Sequence, residues 1–155
     1  MKSFSQVLCL VWVAILTQSC SDNAVSPQDE IRAYIDSGVN AAESRDTDAL
    51  AELMHGDYSD QKSYNKKQLT GLLRGYFFRH KNIHLFTKID AIELLTENEA
   101  IVRMHVAMAG SAIADVDALS SLRARIYRFE LQLIKQDEWL LRHALWGPAS
   151  IGDFE

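Results

Sequence analysis

Apolar residues recur at helical spacing through the first half of the chain. Ser26-Pro27-Gln28-Asp29 places a capping serine, a proline and an acid where a helix opens, and an apolar face follows over residues 31–42. A shorter helix is predicted to begin at Thr47-Asp48 and to end near Gly56. A third helix is predicted to open at residues 65–68 and to stop around residues 80–82. Its apolar face has full amphipathic spacing and consists of Leu69, Leu72, Leu73, Tyr76 and Phe77.

The apolar period changes to that of strands after residue 82. Hairpin turns are predicted at residues 96–99 and 135–138, and a longer connection with room for a helical turn at residues 110–121. Helices followed by long antiparallel strands predict an α+β fold, in which a curved antiparallel sheet wraps over three N-terminal helices. The predicted strands are residues 83–95, 100–109, 122–135 and 138–146.

The N-terminal segment has the pattern of an export signal. The stretch Val7–Leu16 is wholly apolar, follows Lys2 and ends shortly before Cys20, which is typical of a secretory signal peptide. An apolar run of this length is too short to cross a bilayer as a helix. Cleavage before Cys20 would remove Cys9, so Cys20 would be the only thiol and no internal disulfide could form.

The residues around Cys20 resemble the lipobox of bacterial lipoproteins, on the sequence Leu16-Thr17-Gln18-Ser19-Cys20. That resemblance implies a signal peptide over residues 1–19, acylation of Cys20 with palmitate as one of the chains, and a polar tether over residues 20–28. The partner would be a lipid bilayer, and the location the cell envelope. In a Gram-negative host, Ser21 resembles the pattern for sorting to the periplasmic face of the outer membrane. A free export signal or an uncleaved anchor is the alternative.

Composition and charge exclude several classes of protein. An apolar fraction of 48% with 24% charged residues is that of a globular domain. A net charge of −5 argues against a general nucleic-acid binder. One basic patch occurs in this acidic chain. We expect it to be a solvated helix face, and contact with an anionic lipid or glycan is the alternative. The patch consists of Lys66, Lys67, Arg74, Arg79, His80 and Lys81.

The order of elements resembles the nuclear transport factor 2-like superfamily over residues 29–148. The resemblance rests on the three helices, on His55-Gly56-Asp57-Tyr58 after the second of them, and on the closing hairpin with Trp139 and Trp146. It implies a domain over residues 29–150 that forms a cone with a pocket between sheet and helices. Members include isomerases, dehydratases, epoxide hydrolases and many non-catalytic binding or dimerising modules, so the fold alone does not give the function.

Alternation along the predicted strands separates an inner face from an outer face. The inner row of the third strand, extended backwards, reaches Arg125, and in the last strand His143 falls on the face of Trp139, Leu141 and Leu145. Arg125 and His143 are therefore expected to point into the cone within about 10 Å of each other. The inner rows of the second and third strands are Val102, Met104, Val106, Met108, Tyr127, Phe129, Leu131 and Leu133.

The candidate pocket permits two kinds of activity. Non-catalytic binding of a small ligand or a protein partner is favoured, because no standard catalytic, cofactor or metal motif occurs in the sequence. The alternative is acid–base catalysis, in which Asp57 and His143 exchange a proton and Arg125 or Tyr58 stabilises an oxyanion. The ligand-pocket candidates are Asp57, Tyr58, Tyr76, Arg125, Tyr127 and His143.

Each candidate also has a purely structural interpretation. His143 fits a hydrogen-bonded core histidine, and Arg125 fits an ion pair with Asp57. A module that only supports structure or dimerises is a third possibility. A homodimer is expected if the outer face around Ile134, Leu140 and Trp146 is exposed and apolar. No cofactor and no metal site are predicted.

Overall fold

A computed structural model describes residues 25–122 and 124–154 of the chain. The predicted signal peptide and Cys20 lie outside the described residues, so their assignment stays a prediction, as does the domain division. The elements are α1 (Pro27–Glu43), α2 (Thr47–Glu52), β1 (Met54–Asp60), α3 (Lys66–Arg79), β2 (His84–Thr96), β3 (Glu99–Ala109), α4 (Ala118–Ser121), β4 (Arg125–Lys135), β5 (Trp139–Pro148) and a 3-10 helix (Ile151–Phe154).

The helices begin at caps that the sequence specifies. The Ser26 side chain accepts a hydrogen bond from the backbone N–H of Asp29, and Pro27 opens α1. Asn65 and Gln68 form a reciprocal capping box at the start of α3. The second helix differs from its prediction, because Asp46 is its N-cap and it ends at Glu52 rather than near Gly56. The residues that follow it belong to a strand.

The five strands form one curved, unclosed sheet in the order β1-β5-β4-β3-β2. The neighbours from β2 to β5 are antiparallel, whereas β1 runs parallel to β5. The α+β fold predicted from the sequence is confirmed. Strand β1 was not predicted, since its residues His55-Gly56-Asp57 have no apolar alternation and its partner lies far along the chain.

Helix α1 covers the inner face of the sheet and forms the main core with β3, β4 and β5. Ile31 and Ile35 project from α1 against Val102, Met104 and Leu133. Burial of such side chains contributes about 1.5–3 kcal/mol each relative to exposure. The closing hairpin is attached to the same helix, because both the Trp139 indole N–H and the Lys135 ammonium donate to the Glu30 carboxylate.

Replacing Glu30 with glutamine is expected to make stability less sensitive to acid. The hydrogen bonds from Lys135 and Trp139 lower the pKa of Glu30 below its ordinary value of 4.5. The stabilisation that the ionised Glu30 carboxylate gives to the folded state is therefore complete above pH 4.5, and it is lost as the pH falls through the lowered pKa. Urea unfolding of both proteins from pH 7 to pH 3 should show a difference in midpoint that shrinks toward acid. A difference that is constant with pH would contradict this linkage.

Among the described residues, the outer face of the sheet is covered at one end. Phe154 of the 3-10 helix is buried there with Ala107 and Leu119, and its carbonyl oxygen accepts a hydrogen bond from Lys88 Nζ at 2.8 Å. Farther along, Arg103 forms ion pairs with Glu93 and Glu130. Over the described ranges, no helix is both long and apolar enough to cross a membrane.

Candidate functional site

A cavity of about 280 Å³ lies between the helices and the inner face of the sheet. Helices α1 and α3 close one side, and the inner rows of β3 and β4, together with Leu85 and Thr87 of β2 and Leu141 of β5, form the other. The confirmed inner rows of β3 and β4 supply much of its wall, as the alternation predicted. Representative wall residues are Ile35, Leu73, Phe77, Met104, Val106 and Phe129.

The polar side chains in the cavity wall are three tyrosines and a threonine. Tyr34 donates its hydroxyl proton to the Leu53 carbonyl oxygen at 3.0 Å, and Tyr76 donates to the Met108 sulfur at 2.9 Å. Burial raises the pKa of Tyr34, which keeps this hydroxyl protonated. Within residues 25–122 and 124–154, no carboxylate, histidine, lysine or arginine lines the cavity. The wall therefore offers apolar contact and very few hydrogen bonds.

Tyr76 and Tyr127 are the two sequence candidates that line this cavity. Tyr58 is buried beside Met54 and Ala144 and does not itself line the cavity, and burial together with the negative charge of Asp60 raises its pKa. The Asp57 side chain is exposed near His55 rather than enclosed in the cone.

The prediction that His143 points into the cone is wrong. In β5 the register shifts by one residue, because Leu133 pairs with Leu141 while Gln132 pairs with His143. The extra residue is Arg142, and a bulge of this kind moves every following side chain to the opposite face. His143 therefore lies on the outer face, where its Nδ1 is 3.1 Å from the Ser59 hydroxyl.

The same bulge exchanges the faces of the residues after His143. Leu145 lies on the outer face, whereas Trp146 pairs with Phe129 and packs near Met54 and Tyr58 on the inner face. The prediction of an outer row is therefore wrong for Trp146, whereas Leu140, which precedes the bulge and pairs with Ile134, lies on the outer face as predicted. The homodimer that was linked to this row stays a prediction.

Arg125 does not approach His143. It is the first residue of β4 and is exposed, and it does not line the cavity. The partner of His143 is Gln132, seven positions farther along β4, which corresponds to about 23 Å. The expected distance of about 10 Å is therefore wrong, and within the described part of the chain Arg125 forms no ion pair with Asp57.

Sequence reasoning missed two groups of polar residues. Asp60 is only 4% exposed, and its Oδ1 accepts the backbone N–H groups of Lys62 and Tyr64. An aspartate directly before a turn was the available signal. On the outer face, a cleft of about 440 Å³ holds Asp90 and His105, and the distance from the carboxylate Oδ2 to the imidazole Nδ1 is 2.8 Å. Asp90 is the bulged residue of β2, which explains why that strand showed no clear alternation.

Comparison with solved structures identifies the architecture. A protein of unknown function from Shewanella oneidensis, described as nuclear transport factor 2-like, superposes with a TM-score of 0.58 at 18% identity over 78% of this chain and 98% of its own. This chain has the nuclear transport factor 2-like fold. A ketosteroid isomerase-like protein from Erwinia carotovora is similar too, with a TM-score of 0.57 and 14% identity over 77% and 94% of the two chains.

The similarity establishes the fold and leaves the activity open. Bd1075 of Bdellovibrio bacteriovorus has a TM-score of 0.65 at 11% identity over 79% of this chain, which spans only 41% of that protein. No protein-family model and no curated protein sequence match the chain. Proteins with the nuclear transport factor 2-like fold bind ligands or act as enzymes such as isomerases, so the function has to be argued from the cavity.

Proposed function

We propose that this protein is a membrane-anchored envelope lipoprotein whose cone-shaped domain binds a small apolar molecule without catalysis. The observation that carries the proposal is the apolar wall of the inner cavity. Binding pockets of this type hold a ligand mainly by apolar contact and orient it with a few polar groups. Here the Tyr127 and Thr87 side chains are available for that role, because Tyr34 and Tyr76 already donate within the protein.

The chemistry of the wall defines the class of ligand. A charged ligand would have to give up its hydration without gaining an ionic partner from the described wall residues, which is costly. An apolar ligand gains about 25 cal/mol for each Å² that it removes from water. The polarizable methionines Met104 and Met108 adapt to ligands of different shape.

The acid–base alternative has no support in the geometry of the predicted residues. General acid–base catalysis requires the groups that transfer protons to lie within reach of the same bound substrate. Asp57 is exposed, Arg125 lies at the start of β4, and His143 is on the outer face of the sheet. These three side chains do not share the cavity. A partner protein, the other binding candidate, would need an outer surface rather than this inner cavity.

The proposed location rests on the sequence around Cys20. An acylated Cys20 followed by a short polar tether would hold the domain close to a membrane. A ligand that is apolar and sparingly soluble in water would be most concentrated in that membrane. The proposed anchor and the proposed ligand class therefore agree in their chemistry.

Filling the cavity is expected to abolish ligand binding. The probe is N-phenyl-1-naphthylamine, an apolar dye whose fluorescence rises away from water. Val106→Trp adds an indole to the wall and should weaken saturable binding at least about tenfold, or about 1.4 kcal/mol. Leu73→Phe, which fills the cavity from α3, should act in the same direction.

The matched control is Gln132→Trp, which places the same side chain on the outer face of β4. It should bind the dye like the wild type, and any binding to the N-terminal segment contributes equally in all variants. Thermal melts establish that each variant is folded. Equal saturable binding by the wild type, Val106→Trp and Leu73→Phe would contradict the proposed ligand site.

A further inference from the structure

Basic residues are strongly segregated along this acidic chain. Residues 61–89 contain seven Lys and Arg residues and no Asp or Glu, although the whole chain carries a net charge of −5. This segment comprises α3 and the start of β2. Four of the seven are exposed on α3 and at its C-terminal end, namely Lys67, Arg74, Arg79 and Lys81.

An exposed aromatic ring lies among these cations. Phe78, in the last turn of α3, is 87% exposed, and Leu72 on the same helix is 51% exposed, although the sequence predicted an inward position for Leu72. Lys67, Arg74 and Phe78 are spaced to share one outward stripe of the helix. A largely exposed phenylalanine among cations is a typical arrangement at a membrane interface.

Most of these cations have no carboxylate partner in the fold. Among the residues that the structure describes, Lys67, Arg79 and Lys81 form no ion pair, and Arg74 lies 3.5 Å from Asp48 with both side chains largely exposed. Their charge is thus available to an external anion. We call the surface formed by Lys67, Arg74, Phe78, Arg79 and Lys81 the α3 face.

We propose that the α3 face docks on an anionic lipid membrane, with the Phe78 ring entering the interface between headgroups and acyl chains. The cations would lie at the level of the phosphates. Each basic side chain near an anionic leaflet contributes about fivefold to the binding constant. Burial of the Phe78 ring in the membrane adds an apolar contact that a soluble polyanion could not provide.

A second copy of the chain does not fit this surface. A symmetric dimer places the same patch on both subunits, so the α3 face would oppose its own cations. An acidic protein could neutralise the charge, and it is an outcome of the test below. The exposed ring and the uninterrupted positive charge together favour the membrane.

The inner side of the same helix lines the cavity. Leu73, Tyr76 and Phe77 contact the cavity while Arg74 and Phe78 face outward, so only one helix separates the docking surface from the ligand site. In this respect the inference rests on the proposed function, because docking would hold the apolar cavity beside the phase in which its ligand dissolves. The docking itself requires neither ligand binding nor acylation of Cys20.

The test is amine footprinting of the full chain in the presence of vesicles. The protein is mixed with phosphatidylcholine vesicles or with vesicles containing about 30% phosphatidylglycerol, and lysines are acetylated and quantified by mass spectrometry. Labelling of Lys67 and Lys81 relative to Lys135, which is bound to Glu30, should slow at least about threefold on anionic vesicles only. High salt should reverse the protection.

Two variants distinguish docking from general adsorption. Phe78→Ser combined with Arg79→Ser should remove the protection of Lys67, whereas Leu95→Ser, which removes an exposed apolar side chain near the end of β2, should keep it. Equal labelling on both kinds of vesicle would overturn the proposal. Protection by soluble polyglutamate but not by anionic vesicles would overturn it in favour of an acidic protein. Dye binding reports the cavity and incorporation of labelled palmitate reports the anchor, so a failure of either proposal is distinguishable from a failure of docking.

Discussion

Replacing Trp139 with alanine is expected to lower the free energy of unfolding by about 3–5 kcal/mol. The side chain is 4% exposed and belongs to the main core with Ile31, Ile35 and Leu133. Its indole N–H also donates to the Glu30 carboxylate at 3.0 Å. The substitution therefore leaves a cavity and removes a link between α1 and the last strand. Urea or thermal unfolding of the purified variant measures the loss.

Trp139→Phe provides the matched control. It keeps most of the apolar volume but cannot donate to Glu30, so it should cost less than the alanine variant, about 1–2 kcal/mol. An unfolding curve for Trp139→Ala that coincides with the wild type would contradict the assigned position of the closing hairpin. Equal losses for both variants would attribute the effect to the hydrogen bond rather than to packing.

Replacing Cys20 with serine is expected to release the protein from the membrane fraction or to leave it unprocessed. A serine cannot accept the thioether-linked lipid that the resemblance to a lipobox implies, and the anchoring free energy of about 0.8 kcal/mol per buried methylene is lost. Fractionation of cells that express each form, together with incorporation of labelled palmitate, measures the effect. Residual association of the variant with anionic membranes would come from the α3 face and should disappear at high salt.

Cys9→Ser is the control for this experiment. Cys9 lies within the predicted signal peptide, so its replacement should leave processing and palmitate incorporation unchanged. Palmitate that never enters the wild-type protein, together with wild-type fractionation of the Cys20 variant, would contradict the lipoprotein proposal. The cavity proposal would be unaffected, because none of its residues depends on the anchor.

Simple alternation was sufficient wherever the strand ladder is regular. Strands β3 and β4 pair from Glu99 to Met108 without a register shift, so the inward rows with Met104 and Phe129 could be predicted from the sequence. The helix caps at Ser26 and Asn65 were also predictable, because their side chains bond within three residues. Local hydrogen bonds and uninterrupted pleats leave a signal in a single sequence.

Long-range geometry left no comparable signal. The bulge at Arg142 depends on how β5 pairs with β4, and the residue type at that position does not indicate it. The bulge places His143 on the outer face, and this removes the histidine that the acid–base hypothesis required in the cavity. Strand β1 was missed for a related reason, since its pairing with β5 is decided by a distant partner rather than by its own polar sequence. The apolar inner rows of β3 and β4 were predicted correctly, whereas the charged residues expected in the cavity do not line it.

The pairing of the first strand with the last has a consequence for the order of folding. Ser59 and His143 are 84 residues apart, and the sheet cannot be completed before β5 has been synthesised. Contacts of such high sequence separation slow folding, because a large loop must close before any bond forms. A chain that leaves the ribosome therefore keeps an incomplete sheet until β5 has emerged. If the N-terminal segment is the export signal that we propose, this delay would keep the chain unfolded while it is exported.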